Sequence, residues 1–154
     1  MSAANEFGEG TVEIVRVFDA PRALVWQAWT DPKMMAQWFG PRGFTSTVPE
    51  LDLRVGGALR IVMHGHGNDY PMIGTFLEIV APERLVFTFA WEDGAGLPQY
   101  ETLVTVSLED LGARTRLTLH QAVFQSDDVR DEHVAGWTGC LERFADFMAT
   151  NTVS

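Results

Sequence analysis

The sequence has a single cysteine, few basic residues and no long hydrophobic run, and each shortage argues against a class of protein. Cys140 is the only cysteine among 154 residues, so it cannot form an internal disulfide or a zinc–thiolate cluster; a cytoplasmic location is expected. The 11 basic and 21 acidic side chains give a formal charge of -10, which argues against nucleic acid or an anionic membrane as partner. Without a run of about 18 apolar residues, no membrane span is expected.

The sequence also lacks the short motifs of common enzyme classes. It contains no GxSxG, no phosphate-binding loop, no dinucleotide fingerprint and no HExxH. The N-terminus has no basic stretch followed by an apolar one, so no signal peptide is expected. The length suits one domain, and we predict a flexible arm over residues 1–10 and a single domain over residues 11–150.

The hydrophobic pattern predicts one strand, two short helices, six further strands and a long helix. The first strand covers Thr11 to Phe18, where β-branched residues are frequent. Pro21 and Asp31-Pro32 are start signals for the two short helices, the second of which runs to about Trp38. Turn residues separate the later strands, which indicates an antiparallel meander. These strands are predicted near 44–54, 58–65, 71–80, 84–92, 100–108 and 114–122.

The last segment has helical period from roughly Ser126, a suitable N-cap, to Met148. Apolar residues recur there at three- and four-residue steps and form a stripe of about six turns. This stripe needs a buried partner, and only the sheet is large enough. We therefore predict an α+β fold in which a curved antiparallel sheet of about seven strands wraps around the C-terminal helix.

Strand alternation directs one set of side chains toward this helix. His64 and His120 are expected on the opposite, outer face. The inner set combines large aromatic rings with a few polar groups, which is typical of a small-molecule pocket and also of a filled core. Both alternatives stay open from alternation alone. The residues predicted to face the helix are Leu59, Ile61, Met63, Leu85, Phe87, Phe89, Trp91, Tyr100, Thr102, Val104, Val106, Thr115, Leu117, Leu119 and Gln121.

The histidines and the cysteine could carry chemistry, but they lack the arrangement that the chemistry needs. His64, His66 and Asp69 share one glycine-rich turn, where a further converging metal ligand is lacking, so an exposed turn is predicted. His133 and Cys140 are two helical turns apart, about 10 Å along the axis, which is too far for a hydrogen bond. Cys140 is expected to be a small buried hydrophobic residue. We predict no catalytic residue, no metal and no cofactor.

Several segments are recognisable when they are taken together. They are RVFDAPR at 16–22, VWQAWTDP at 25–32, WFGP at 38–41, DLRVGG at 52–57, GTFLEI at 74–79, PERLVFT at 82–88 and Gly136-Trp137 with Leu141. In this combination, over about residues 11–149, the sequence resembles the START-like superfamily, also called SRPBCC. More narrowly, it resembles the activator of heat shock protein 90 ATPase homologue (AHSA-like) family, as a stand-alone domain of bacterial type.

The resemblance implies the helix-grip fold, which is also the Bet v type. It further implies a cavity between sheet and C-terminal helix that holds lipids, polyketides, hormones or other apolar ligands in relatives, with Gly136-Trp137 as its floor. Combined with strand alternation and the loop at 38–44, it predicts a ligand-binding surface. The predicted lining residues are Trp38, Phe39, Phe44, Met63, Phe87, Phe89, Trp91, Tyr100, Thr102, Gln121, His133, Trp137 and Leu141.

The leading functional hypothesis is binding of a small hydrophobic or aromatic ligand without covalent chemistry. One alternative is a cyclase- or hydrolase-type enzyme on a polyketide-like substrate, with proton transfer by His133, Tyr100 or water beside Gln121. Another is a co-chaperone-like interaction module in stress response. The namesake co-chaperone has an additional N-terminal chaperone-binding domain, and only about ten residues precede the first strand here, so a chaperone partner is not expected. A homodimer through the outer sheet face or an edge strand stays open.

Overall fold

The computed structural model describes residues 11–93, 95, 97–122 and 127–152, and it has the predicted order of elements. The N-terminal arm and the proposed N-cap Ser126 lie outside the described residues. The seven strands are β1 (Val12–Phe18), β2 (Thr45–Leu51), β3 (Ala58–Gly65), β4 (Asn68–Val80), β5 (Arg84–Glu92), β6 (Pro98–Asp110) and β7 (Thr115–Ala122). The helices are α1 (Arg22–Thr30), α2 (Pro32–Trp38) and α3 (Asp127–Thr152).

The strands form one antiparallel sheet in the order β1-β7-β6-β5-β4-β3-β2. Strands β2 to β7 are a meander in which each strand pairs with the next one along the chain. Strands β1 and β2 are consecutive in sequence but lie at opposite edges, so α1 and α2 carry the chain from one edge of the sheet to the other. The sheet stays open, and the predicted α+β helix-grip architecture is confirmed.

The short helices complete the core beneath α3. The ring of Phe144 on α3 meets Trp38 at 4.7 Å, Phe18 at 4.9 Å and Trp29 at 6.1 Å between centroids. The indole Nε1 of Trp38 donates to the carbonyl oxygen of Ala28 at 3.0 Å, which satisfies its buried polar atom. Among the residues of α3 whose side chains the structure describes, those buried in this core are Trp137, Cys140, Leu141, Phe144 and Met148.

Strand alternation correctly predicts the buried face of the sheet, with one exception at a β-bulge. Phe89 pairs with Thr102, whereas Trp91 pairs with Gln99, so the register shifts by one residue and Tyr100 is the extra residue of β6. Tyr100 has a φ of 50° and is 69% exposed. The prediction that Tyr100 faces the helix is therefore wrong, because a bulge breaks the two-residue period on which it depends.

The β3–β4 hairpin contains the two histidines that were considered as metal ligands. His66 and Gly67 have φ values of 53° and 76°, as a two-residue type I′ turn requires. His64 is bound through Nδ1 to Asp69 at 2.7 Å and through Nε2 to Thr47 at 3.2 Å. Within the described ranges, no three His, Cys, Asp or Glu residues form a group that could hold a metal ion. None of the described helices is long and apolar enough to cross a membrane.

Candidate functional site

A cavity of about 320 Å³ lies between the loop after α2, the inner face of β3 and β5, and the N-terminal half of α3. The loop contributes a wall at one side, the sheet contributes the opposite wall, and α3 lies between them. Most of the lining is apolar, as is usual for small-molecule sites. The lining residues are Phe39, Gly40, Pro41, Met63, Phe89, Trp91, Glu132, His133, Gly136, Trp137 and Cys140.

Four aromatic rings of the wall support one another. The ring of Trp137 packs edge-on against Phe39 at 5.8 Å and tilted against Phe89 at 6.1 Å. Phe89 packs edge-on against Trp91 at 5.4 Å. Edge-to-face pairs at these separations are favourable beyond the area that they bury. The rings therefore stabilise one another's positions around the cavity.

A chain of hydrogen bonds behind the wall fixes the orientation of Trp137. Its Nε1 donates to Oε1 of Gln121 at 2.7 Å, and Nε2 of Gln121 donates to the hydroxyl of Thr102 at 2.8 Å. That hydroxyl in turn donates to the carbonyl oxygen of Phe89 at 2.8 Å. Gln121 and Thr102 are buried and do not line the cavity. The two predicted polar anchors therefore hold the aromatic wall in place rather than face a ligand.

The guanidinium of Arg143 on α3 holds the loop that forms one side of the cavity. This loop leaves the C-terminal end of α2, where backbone carbonyl groups lack helical partners and carry partial negative charge. A cation with several N–H groups satisfies them at once. Nη2 of Arg143 donates to the carbonyl oxygen of Gln37 at 3.2 Å, and Nη1 donates to those of Phe39 at 3.1 Å, Gly40 at 2.9 Å and Pro41 at 3.4 Å.

Cys140 lies at the contact between this loop and α3. Its Sγ accepts a hydrogen bond from the backbone N–H of Gly40 at 3.3 Å. Burial raises the pKa of the Cys140 thiol from its ordinary value of 9.0 to about 12. The thiol therefore stays protonated at neutral pH, and the thiol form is a poor nucleophile. The prediction that Cys140 is a small buried hydrophobic residue is confirmed.

Two ionisable residues of α3, His133 and Glu132, line the cavity. Nδ1 of His133 lies 2.8 Å from the carbonyl oxygen of Val129; because a carbonyl only accepts, this nitrogen carries a proton. The His133 ring meets Phe89 at 6.0 Å and Trp91 at 6.5 Å. Glu132 is exposed and forms no ion pair within the described part of the chain.

The structure brings together some of the predicted lining residues and separates others. Those on the cavity wall are Phe39, Met63, Phe89, Trp91, His133 and Trp137. Trp38, Phe87 and Leu141 are buried in the core, away from the cavity wall. Phe44 packs at the β3–β4 hairpin against His66 and Tyr70, at 5.1 Å and 5.8 Å, and Tyr100 is exposed.

Sequence reasoning expected Gly136 at the cavity beside Trp137, but it missed Glu132 and Cys140 on α3 and Gly40 and Pro41 on the loop. Glu132, Gly136 and Cys140 follow one another at four-residue steps, so they lie along one line of the helix. This spacing was readable in the sequence, but a charged residue such as Glu132 does not add to an apolar stripe. Gly40 and Pro41 belong to a loop whose position depends on Arg143, and no local pattern indicates that contact.

The comparisons with known proteins agree with this architecture. The family model described as "Activator of Hsp90 ATPase homolog 1-like protein" matches residues 19–149. A crystal structure of a Chromobacterium violaceum protein has a TM-score of 0.81 and 31% identity over 90% of this chain and 96% of its own. The solution structure of an Arthrobacter aurescens protein has a TM-score of 0.83 and 29% identity over 91% of this chain and 86% of its own.

The crystal structure of the AHSA1 protein from Silicibacter pomeroyi has a TM-score of 0.82 and 27% identity, and the match covers 92% of this chain and 99% of that one. No curated protein is similar to the chain at a significant level. The family model covers most of the chain, and the family resemblance of the sequence motifs is confirmed. The chain belongs to the family of activator of Hsp90 ATPase homolog 1-like proteins.

Proposed function

We propose that this domain binds a small apolar or aromatic molecule in the cavity between sheet and α3. The observation that carries the proposal is a cavity of about 320 Å³ with a mostly apolar, aromatic lining. The N–H of Trp137 is bonded to Gln121, so the cavity is left with the carbon surface of the ring. Transfer of an apolar molecule from water into such a site is favourable because it removes apolar surface from water.

The size and the shape of the cavity favour a compact ring system as the ligand. Its volume lies near the lower end of the roughly 300–1,000 Å³ range of small-molecule sites. Flat rings can stack or pack edge-on against Trp91, Trp137 and Phe89, of which Phe89 and Trp91 already meet edge-on.

Binding is favoured over the alternative of cyclase or hydrolase chemistry because the groups proposed for proton transfer are mostly elsewhere. Tyr100 is exposed, and the amide of Gln121 is bonded to Trp137 and Thr102. The thiol of Cys140 is protonated at neutral pH because burial raises its pKa to about 12. Of the groups proposed for proton transfer, His133 lies on the cavity wall, so the enzymatic alternative depends on it.

A variant that fills the cavity tests the proposal. A Cβ built at Gly136 meets no atom within 4 Å, and Gly136 lines the cavity, so a leucine side chain at this position begins in open space and takes up cavity volume. Replacing glycine inside a helix also stabilises the helix by roughly 0.5–1 kcal/mol, so lost binding would not reflect unfolding. Ala135→Leu is the matched control, because Ala135 is the exposed neighbouring position on α3 and does not line the cavity.

The measurement is calorimetric titration with neutral aromatic probes, beginning with 2-naphthalenemethanol. We expect saturable binding at one site in the unmodified protein and in Ala135→Leu, and at least about tenfold weaker binding in Gly136→Leu, because the added side chain occupies the volume that the probe needs. Equal affinity in Gly136→Leu and in the unmodified protein would overturn the assignment of the site. No binding of any neutral aromatic probe would overturn the proposed function.

A further inference from the structure

The described lining of the cavity includes a carboxylate but no lysine or arginine. Among the described residues, its ionisable lining groups are Glu132, His133 and the protonated thiol of Cys140, and no lysine or arginine lines it. Arg143 contacts the loop beside the cavity, but its guanidinium is bonded to the backbone carbonyls of residues 37, 39, 40 and 41. Glu132 thus offers a carboxylate at the cavity without a cationic partner in the described part of the chain.

Two other arginines that contact α3 or lie on it are paired with other carboxylates. Arg42 binds Asp146 at 2.8 Å, and Arg130 binds Asp131 at 2.9 Å. Neither pair includes Glu132. The formal charge of -10 for the whole chain acts in the same direction, because a negative protein attracts cations and repels anions at long range.

The aromatic walls also favour a positively charged ligand. The face of an indole or phenyl ring carries partial negative charge and attracts an ammonium group within about 6 Å. Trp91, Trp137 and Phe89 supply such rings beside Glu132 and His133. The electropositive N–H edge of Trp137 is bonded to Gln121, so it is not available to an anionic ligand. A buried anion in this cavity would lack a compensating cation, which is unfavourable.

We propose that the cavity selects ligands that carry a protonated amine or a quaternary ammonium on an aromatic or apolar body, with the cationic group held by Glu132 at the cavity. This inference rests on the proposed function and narrows its ligand class. The aromatic body occupies the volume between Trp137, Trp91 and the loop. The ammonium group remains beside the carboxylate, where water can still solvate part of it.

Three probes with the same ring and different charge test the inference at neutral pH: 2-naphthylmethylamine, 2-naphthalenemethanol and 2-naphthoate. We expect the amine to bind about three- to tenfold more tightly than the alcohol, because a partly exposed carboxylate and a ring face each contribute modestly. We expect the carboxylate probe to bind more weakly than the alcohol. In Glu132→Gln, the preference for the amine should fall to less than about half its value while the affinity for the alcohol is retained.

Glu142→Gln is the matched control, because it removes the same charge from an exposed position of α3 that does not line the cavity. It should retain the amine preference. If the alcohol binds but the amine binds no more tightly, or if Glu132→Gln keeps the full preference, the charge selection is overturned and the proposed function stands. If none of the three probes binds, both proposals are overturned.

Discussion

The indole N–H of Trp137 on α3 donates to the side-chain oxygen of Gln121 on β7 at 2.7 Å, and both residues are buried. This bond joins the helix to the sheet at the back of the cavity. Gln121 also donates to Thr102, so one amide serves two neighbours. A buried donor that loses its acceptor retains the unfavourable free energy of its desolvation. The stability of the protein should therefore be sensitive to substitution of Gln121.

Gln121→Leu should lower the free energy of unfolding by about 1–3 kcal/mol, because it leaves the N–H of Trp137 without its acceptor. Urea denaturation measures the change. A double-mutant cycle with Trp137→Phe isolates the pair, since phenylalanine has no N–H to satisfy. Gln121→Leu should therefore be less destabilising in the Trp137→Phe background. Equal effects in the two backgrounds would show that the Trp137–Gln121 bond is not the source of the destabilisation.

Arg143→Ala should destabilise the loop at 37–41 and weaken ligand binding together. The substitution removes donors to four backbone carbonyls, and we expect a loss of about 1–3 kcal/mol in the free energy of unfolding. Arg143→Lys should be more stable than Arg143→Ala but less stable than the unmodified protein, because an ammonium group cannot reach the same set of oxygens as a planar guanidinium. Urea denaturation reports the stability, and amide exchange at Gly40 and Phe44 reports the loop.

Arg42→Ala is the control for that experiment. Arg42 belongs to the same loop and pairs with Asp146, but the two side chains are 59% and 68% exposed. Exposed ion pairs contribute little to stability, so Arg42→Ala should leave the unfolding transition unchanged. A similar destabilisation by both substitutions would contradict the specific role of the Arg143 guanidinium.

Cys140 should make the protein less stable at alkaline pH. Burial raises the pKa of the folded thiol to about 12, whereas the unfolded thiol keeps a value near 9.0. Above the unfolded value, the unfolded chain binds fewer protons than the folded one, so stability falls as pH rises. The contribution is fully present below the unfolded pKa and is lost progressively through the folded pKa. The slope reaches about 1.4 kcal/mol per pH unit for one proton.

The measurement is the free energy of unfolding from about pH 8 to about pH 10.5 for the unmodified protein and for Cys140→Ala. Alanine loses a buried side chain, so the variant should be less stable throughout. The difference between the two proteins should shrink as pH rises, because only the thiol has this linked proton. Parallel stability curves over that range would contradict a raised pKa for Cys140.

Much of the fold could be predicted from the sequence because the elements have clear periods. The three- and four-residue spacing between Trp137 and Met148 requires a helix with one buried face, and alternation through Leu117 and Leu119 requires a half-buried strand. Both expectations are confirmed. Tyr100 shows the limit of the method: a one-residue bulge reverses the facing of every position between it and the end of the strand, and no local residue type predicts that bulge.

The sequence by itself determined the order of elements and the burial of α3 against the sheet, because both depend on short-range spacing and on the hydrophobicity of the residues. Only the tertiary structure decided where a cavity remains. Its walls join Pro41, Met63 and Glu132, which are far apart in the chain, and the loop among them is positioned by Arg143. The cavity is the volume that side chains from distant elements leave unfilled. Its size depends on how these elements pack in three dimensions and not on any periodic pattern.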